Sequence, residues 1–157
     1  MDTKTVLITE AAFNLGPQVA LLFAEEGCNL ILNTANDIDR LSGVASRVHD
    51  LNVKTITYRA NVGDQSEVTN LVSKGIEVFG KIDVVINNAI GELSQELLLE
   101  TSFENWTNKI HQGITGTLMV CQEVLPLMVN NQWGRLSLIH ISEPTRPRLL
   151  SYAVFCL

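Results

Sequence analysis

The chain has 157 residues, a formal net charge of −6 and enough apolar side chains to fill one core, so a single domain is expected. No block of like charge stands out, and nothing offers the basic footprint of a protein that grips nucleic acid or anionic lipid. Cys28, Cys121 and Cys156 are an odd, scattered set without CxxC or other metal-binding spacing, which argues against a disulfide framework or a metal site and fits a cytoplasmic protein.

The opening MDTKTVLITEAAF lacks a basic run followed by a long apolar one, and no stretch approaches the roughly 20 apolar residues that span a bilayer. A soluble protein with no membrane partner is expected. KTVLIT is a short β-branched run that predicts a strand. GPQVALLFAEEG predicts a helix with Val19, Leu22 and Phe23 on one face, and NLILN predicts a second strand. A polar helix from about Asp37 to Leu51, a strand TITYRA, a helix from about Ser66 to Phe79 and a strand DVVINNA continue the alternation. From about Phe103 to Asn131 a long helical stretch carries Ile110, Ile114, Leu118, Cys121 and Leu125 at helical spacing. That stripe reads as core-facing or as the surface that meets a partner helix in a dimer, and the two can hold on different faces.

Strands alternating with helices predict an α/β fold with a parallel sheet covered on both faces. Right-handed crossovers make it a doubly wound, three-layer sheet whose ligand crevice lies at the carboxyl ends of the strands. The first strand ends in TEAAFNLG. A dinucleotide-binding turn uses glycines to turn tightly, approach the pyrophosphate and aim helix amides at it, and only Gly16 remains here. In order and spacing the segment nonetheless resembles the short-chain dehydrogenase/reductase family, whose first turn reads T-G-x-x-x-G-x-G. Thr9 and Gly16 fall on its ends, and Glu10 and Asn14 stand at the two other glycine positions. ANVGD after the third strand is similar to the family's D-V or N-V pair beside the adenine, and INNAIG to its N-N-A-G, with Ile90 in place of the glycine. ENWTNKIHQGITGTLMVCQEVLPLM followed by WGR looks like its long interface helix and the turn into the fifth strand. The resemblance covers Lys4 to Arg135.

It implies a Rossmann-type fold, incomplete because only the N-terminal half is present, and a nicotinamide dinucleotide cofactor. The cofactor-binding positions it implies are Thr9, Asn14, Leu15, Gly16, Thr34, Asn61, Val62, Asn87, Ala89 and Ile90. Glu10 would set a carboxylate near the expected pyrophosphate, where like charges about 4 Å apart repel by roughly 1 to 4 kcal/mol, unless it swings into solvent. Asn14 is the milder change, because Asn tolerates positive φ better than most residues. Thr34 stands where an acidic residue would hold the ribose hydroxyls of NAD, and no arginine adjoins it. The absence of a repelling carboxylate leans towards NADP over NAD. His111, two residues before Gly113 at the position of the family's structural Asn, reads as a helix-surface histidine.

In the family a Ser holds the substrate oxygen, a Tyr exchanges its proton, and a Lys four residues later lowers the Tyr pKa, as a neighbouring cation does for a phenol. The required spacing is missing. Ser142 comes a residue late, Tyr152 too early after it, and Cys156 stands where the lysine belongs, so no catalytic residue is assigned. LSLIHISEPTR back-translates into what looks like a transposase adapter of sequencing libraries, and SYAVFCL into what looks like the adjoining flow-cell primer. The expectation is therefore a partial dinucleotide-binding domain over 1–135 and a non-native tail over 136–157. In that tail Leu136 to Ser142 would imitate the fifth strand, and EPTRPR would leave the sheet.

The resemblance implies an intact parent that is an NAD(P)-dependent oxidoreductase acting on a small alcohol or carbonyl substrate and assembled as a homo-oligomer, with the present chain inactive by itself. The alternative is a non-catalytic relative whose degenerate fold serves interaction or regulation. A receiver-type domain would need an acidic cluster at the first strand's end, and a P-loop needs a G-x-x-x-x-G-K-[ST] run; neither is present.

Overall fold

A computed structural model describes residues 3–90 and 100–138, and the backbone of 154–156. In chain order the elements are β1 (Thr5–Ile8), α1 (Gly16–Glu25), β2 (Asn29–Thr34), α2 (Ile38–His49), β3 (Thr55–Arg59), α3 (Gln65–Phe79), β4 (Val84–Asn87), α4 (Phe103–Ile110), a π-helical turn (His111–Thr115), α5 (Gly116–Asn130), β5 (Arg135–Leu138) and β6 (Val154–Cys156). One sheet runs β3-β2-β1-β4-β5-β6; the first five strands are parallel, and β6 lies antiparallel on β5. The predicted doubly wound parallel sheet is thus present.

The period of two along each strand builds the three layers. Val6, Ile8, Leu30, Leu32 and Ile86 join one core with Ala20 and Ala24 of α1 and with Leu41, Val44 and Val48 of α2. The alternate residues Leu7, Ile31 and Val85 join a second core with Val68, Leu71 and Val72 of α3 and with Val120, Val124 and Met128 of α5. Strands apolar on both faces are what a sheet sandwiched between helix layers requires.

Local signals mark where the helices start and stop. Asp37 caps α2 by accepting from the Arg40 amide at 2.9 Å, and Asp64 caps α3 by accepting from the Ser66 and Glu67 amides at 2.8 and 3.1 Å. Gly80 ends α3 in the left-handed region, its amide bonded to the Ile76 carbonyl. Among the described residues no side chain caps α1, whose N-cap is Leu15 and whose first turn holds Pro17.

Two expected faces differ from those observed. The buried side of α1 is Gly16, Ala20 and Ala24; Val19 and Phe23 are half-buried and Leu22 is 61% exposed. Small residues let the helix axis lie close to the sheet, so the bulkier side chains end up at its margins. Along α4 and α5, Ile110, Ile114 and Leu118 are exposed and Cys121 and Leu125 half-buried, while Gly116, Val120, Val124 and Met128 face the core. The core-facing reading of the stripe therefore fails for its first three members. The fifth strand forms at Arg135–Leu138; Ser142, the EPTRPR segment and Tyr152 lie outside the described residues.

Candidate functional site

The strand order changes direction between β1 and β4. The β1–α1 connection leads to one side of β1 and the crossover through α3 returns to the other, so the carboxyl ends of β1 and β4 flank the crevice in which such sheets bind ligands. Four neighbouring strand ends are tied together there by side-chain amides. Asn33 at the end of β2 donates to the Ala60 carbonyl at 2.8 Å and accepts from the Glu10 amide at 3.4 Å, while its own carbonyl takes the Ala11 amide at 2.7 Å. Asn88 donates to the Thr9 and Glu10 carbonyls at 3.1 and 2.9 Å. The Thr9 hydroxyl accepts from the Asn88 and Ala89 amides at 2.9 and 3.1 Å.

These ties hold the β1–α1 turn in a glycine-like path without the glycines. Glu10 has φ 49° and Asn14 φ 53°, both in the left-handed region. An L residue there costs about 1–2 kcal/mol, least for Asn, and the flanking bonds compensate that strain. Gly16 remains for a different reason, close approach. A Cβ on it would come within 2.7 Å of both the Ala11 Cα and the Glu10 carbonyl oxygen, backbone atoms that cannot step aside. Asn14 and Leu15 are exposed at the mouth of α1.

The Glu10 side chain follows neither expected course. Its carboxylate crosses to the end of β2, where Oε1 accepts from the Thr34 hydroxyl at 2.7 Å and Oε2 from the Ala35 amide at 3.4 Å. A carboxylate therefore does stand beside Thr34, supplied by β1 instead of β2, and the premise of the lean towards NADP does not hold.

Across the crevice, Asn87, Ala89 and Ile90 line the end of β4. Asn87 is buried, its amide donating to the Cys121 sulfur at 3.8 Å. The Oδ1 atoms of Asn87 and Asn88 are buried without a hydrogen-bond partner among the described residues. Burial pushes the Cys121 thiol up, against a smaller downward pull from the Asn87 amide, which disfavours the thiolate. Beside the adjoining β3 end, the exposed Asn61 accepts from the Gly63 amide at 2.9 Å and donates its own amide to Glu67 at 2.8 Å. Val62 is buried against Gly116, where a Cβ would meet the Val62 carbonyl oxygen at 3.0 Å.

His111 is on the surface as expected, but it is not idle. Its Nε2 lies 2.8 Å from the Gly63 carbonyl oxygen, which can only accept, so Nε2 carries the proton. The contact fastens the π-helical turn to the loop of Asn61 and Val62. Gly113, in the same turn, faces the Ile90 backbone, whose carbonyl oxygen would lie 3.6 Å from a Cβ there.

The structure thus brings Thr9, Asn14, Leu15, Gly16 and Thr34 to one side of the crevice and Asn87, Ala89 and Ile90 to the other, with Asn61 and Val62 at the β3 end. Sequence reasoning missed the tying roles of Asn33 and Asn88. Its available signal was an asparagine closing each of two otherwise apolar strands, where a buried amide must find backbone partners.

Comparison with known proteins agrees with this geometry. The profile of the short chain dehydrogenase family matches residues 4–143. The chain is 30% identical over 133 residues to the 3-oxoacyl-[acyl-carrier-protein] reductase FabG of Staphylococcus epidermidis, covering 85% of this chain and 54% of that protein. It is 33% identical over 145 residues to the FabG of Thermotoga maritima, covering 91% and 56%. Among solved structures, an NAD+-bound xylitol dehydrogenase superposes with a TM-score of 0.80 at 26% identity, over 85% of this chain and 51% of that one. A levodione reductase gives 0.81 at 26% identity, over 87% and 54%. The chain spans about half the length of the curated relatives it matches. With its crevice, its sheet order and these matches in agreement, the chain belongs to the short-chain dehydrogenase family.

Proposed function

We propose that this chain is the dinucleotide-binding half of an oxidoreductase that moves hydride between a nicotinamide cofactor and a small alcohol or carbonyl substrate. The observation that carries the reading is the β1–α1 turn at the switch point of the sheet, where Glu10 and Asn14 take positive φ and Asn33 and Asn88 hold the path. The residues fit a dinucleotide. The turn is tight against α1, and among the described residues no side chain is bonded over the start of α1 and the buried acceptors of Asn87 and Asn88 at the end of β4 have no partner. In this reading the amides around Asn14, Leu15 and Gly16 face the pyrophosphate. Thr34 marks the adenosine ribose, Asn61 and Val62 the adenine, and Asn87, Ala89 and Ile90 the nicotinamide side. Thr9 positions the β4 end through its hydroxyl. When bound, the cofactor supplies the hydride; these residues bind and orient.

Proton transfer needs groups that this chain does not provide, since Cys156 stands where a lysine would follow Tyr152. We propose that the chain alone is inactive, and that residues 136–157 are a foreign tail, which the parent reading frame beyond Arg135 would test by carrying or lacking Y-x-x-x-K. The exposed Ile110, Ile114 and Leu118 support self-association of the parent along this helix. Among the described residues no helix is long and apolar enough to cross a membrane.

Titration of the chain with NADH and with NADPH, followed by nicotinamide fluorescence, tests the binding reading. Saturable binding of at least one, displaced by ADP-ribose, is the expected result. Binding of neither at millimolar concentration would overturn it and favour the non-catalytic alternative.

A further inference from the structure

We propose that Glu10 is the acceptor for the adenosine ribose hydroxyls, supplied from the β1 turn, so that this crevice selects a dinucleotide with a free 2′-hydroxyl over one bearing a 2′-phosphate. The inference deepens the dinucleotide reading above and rests on it.

Three observations support the assignment. The Glu10 backbone is held from both sides, its amide on Asn33 and its carbonyl on Asn88, so the origin of the side chain is fixed over the crevice. Its carboxylate is fixed in turn at the end of β2 by the Thr34 hydroxyl and the Ala35 amide, at 2.7 and 3.4 Å. An ionised carboxylate offers about four acceptor sites, and those two bonds leave about two for a vicinal diol. In open sheets of this kind an acid at the end of the second strand holds the ribose; here Thr34 occupies that place and orients a carboxylate that arrives from the neighbouring strand.

Charge sets the selectivity. A phosphate on the 2′ position would meet Glu10 at close range in a crevice with restricted solvent, where repulsion is strong. Two cations flank the same end of the sheet and act in the opposite sense. Arg59 donates Nε to the Ala35 carbonyl at 3.1 Å, and the Arg40 guanidinium stacks 4.3 Å from the centre of the Phe13 ring. Each makes one such contact, Arg59 being the register partner of Thr34 on β3, and neither arginine side chain is bonded to Thr34, whereas Glu10 is.

The probes are ADP-ribose and its 2′-phosphate, which keep the adenosine and pyrophosphate and lack only the nicotinamide ring, measured by calorimetry on the wild-type chain, Glu10→Gln and Glu10→Gly. Circular dichroism establishes that each variant is folded. The wild type should bind ADP-ribose about tenfold or more tighter than the 2′-phosphate. Glu10→Gln should bind ADP-ribose more weakly than wild type and lose most of that preference, and Glu10→Gly should follow it. Equal binding of both probes by the wild type, or tighter binding of the 2′-phosphate, would overturn the proposal and leave the dinucleotide reading intact. Tighter binding of both probes by Glu10→Gly would also overturn it, by making Glu10 an obstruction. No binding of either probe by any of the three chains would overturn the dinucleotide reading together with the proposal.

Discussion

At the β1–α1 turn Glu10 and Asn14 hold glycine-like angles, φ 49° and 53°, and the turn keeps its shape; along α4 and α5 a regular apolar stripe places Ile114 and Leu118 in solvent, 60% and 57% exposed. In the first region the residue types changed while the backbone path survived, because Asn33 and Asn88 hold that path from the adjoining strands. In the second the periodicity is intact, but it does not say which side faces the sheet. Motif spelling is thus a poor guide to a turn secured from outside itself, and helical spacing is a poor guide to burial where two apolar faces share one helix.

The largest expected contrast lies within α5. Met128→Ala empties a fully buried position and should cost about 2–5 kcal/mol, while Leu118→Ala, on the exposed face, should stay within about 0.5 kcal/mol. Urea denaturation of both variants checks this. A comparable loss at Leu118 would show that its face is covered in solution. The next effect belongs to the turn. Gly16→Val drives a Cβ into the Ala11 and Glu10 backbone and should destabilise by about 1–3 kcal/mol or more, again read from urea midpoints.

Asn88→Ala sharpens the comparison by cutting the external ties on the β4 side. It removes both donors to the Thr9 and Glu10 carbonyls and should cost about 1–3 kcal/mol, with loss of amide-exchange protection concentrated at Thr9 to Ala11. Unchanged protection there would mean that the Asn33 ties hold the turn without Asn88. The smallest effect is the opposite in sign. Asn14→Gly relieves a left-handed residue and should raise stability by a few tenths to about 1 kcal/mol, visible as a higher melting temperature. Asn14→Val should lower it.

Much of the fold was legible because short β-branched runs alternating with helical segments point to one architecture. The burial of α1 was less so: Leu22 belongs to an apolar run, yet only small residues fit against the sheet, a constraint of shape that hydrophobicity does not carry. The family resemblance pointed to Thr9, Gly16, Asn87 and Ala89, which the structure places in the β1–α1 connection and at the end of β4. The course of the Glu10 side chain was not legible, because it depends on a 2.7 Å bond to Thr34, 24 positions away in the chain. Likewise nothing local to His111 announces its contact with Gly63, which exists only once the π-helical turn has packed over the β3 end.

The account stands most directly on the crevice at the ends of β1, β2 and β4. Assigned amide spectra of this 17.3 kDa chain, recorded with and without ADP-ribose, locate its ligand residue by residue. The account predicts shifts concentrated at Thr9 to Gly16, at Thr34 and Ala35, and at Asn61 and Val62, with the exposed face of α4 and α5 unmoved. Shifts confined to that face, or absent from the β1–α1 turn at saturation, would contradict it.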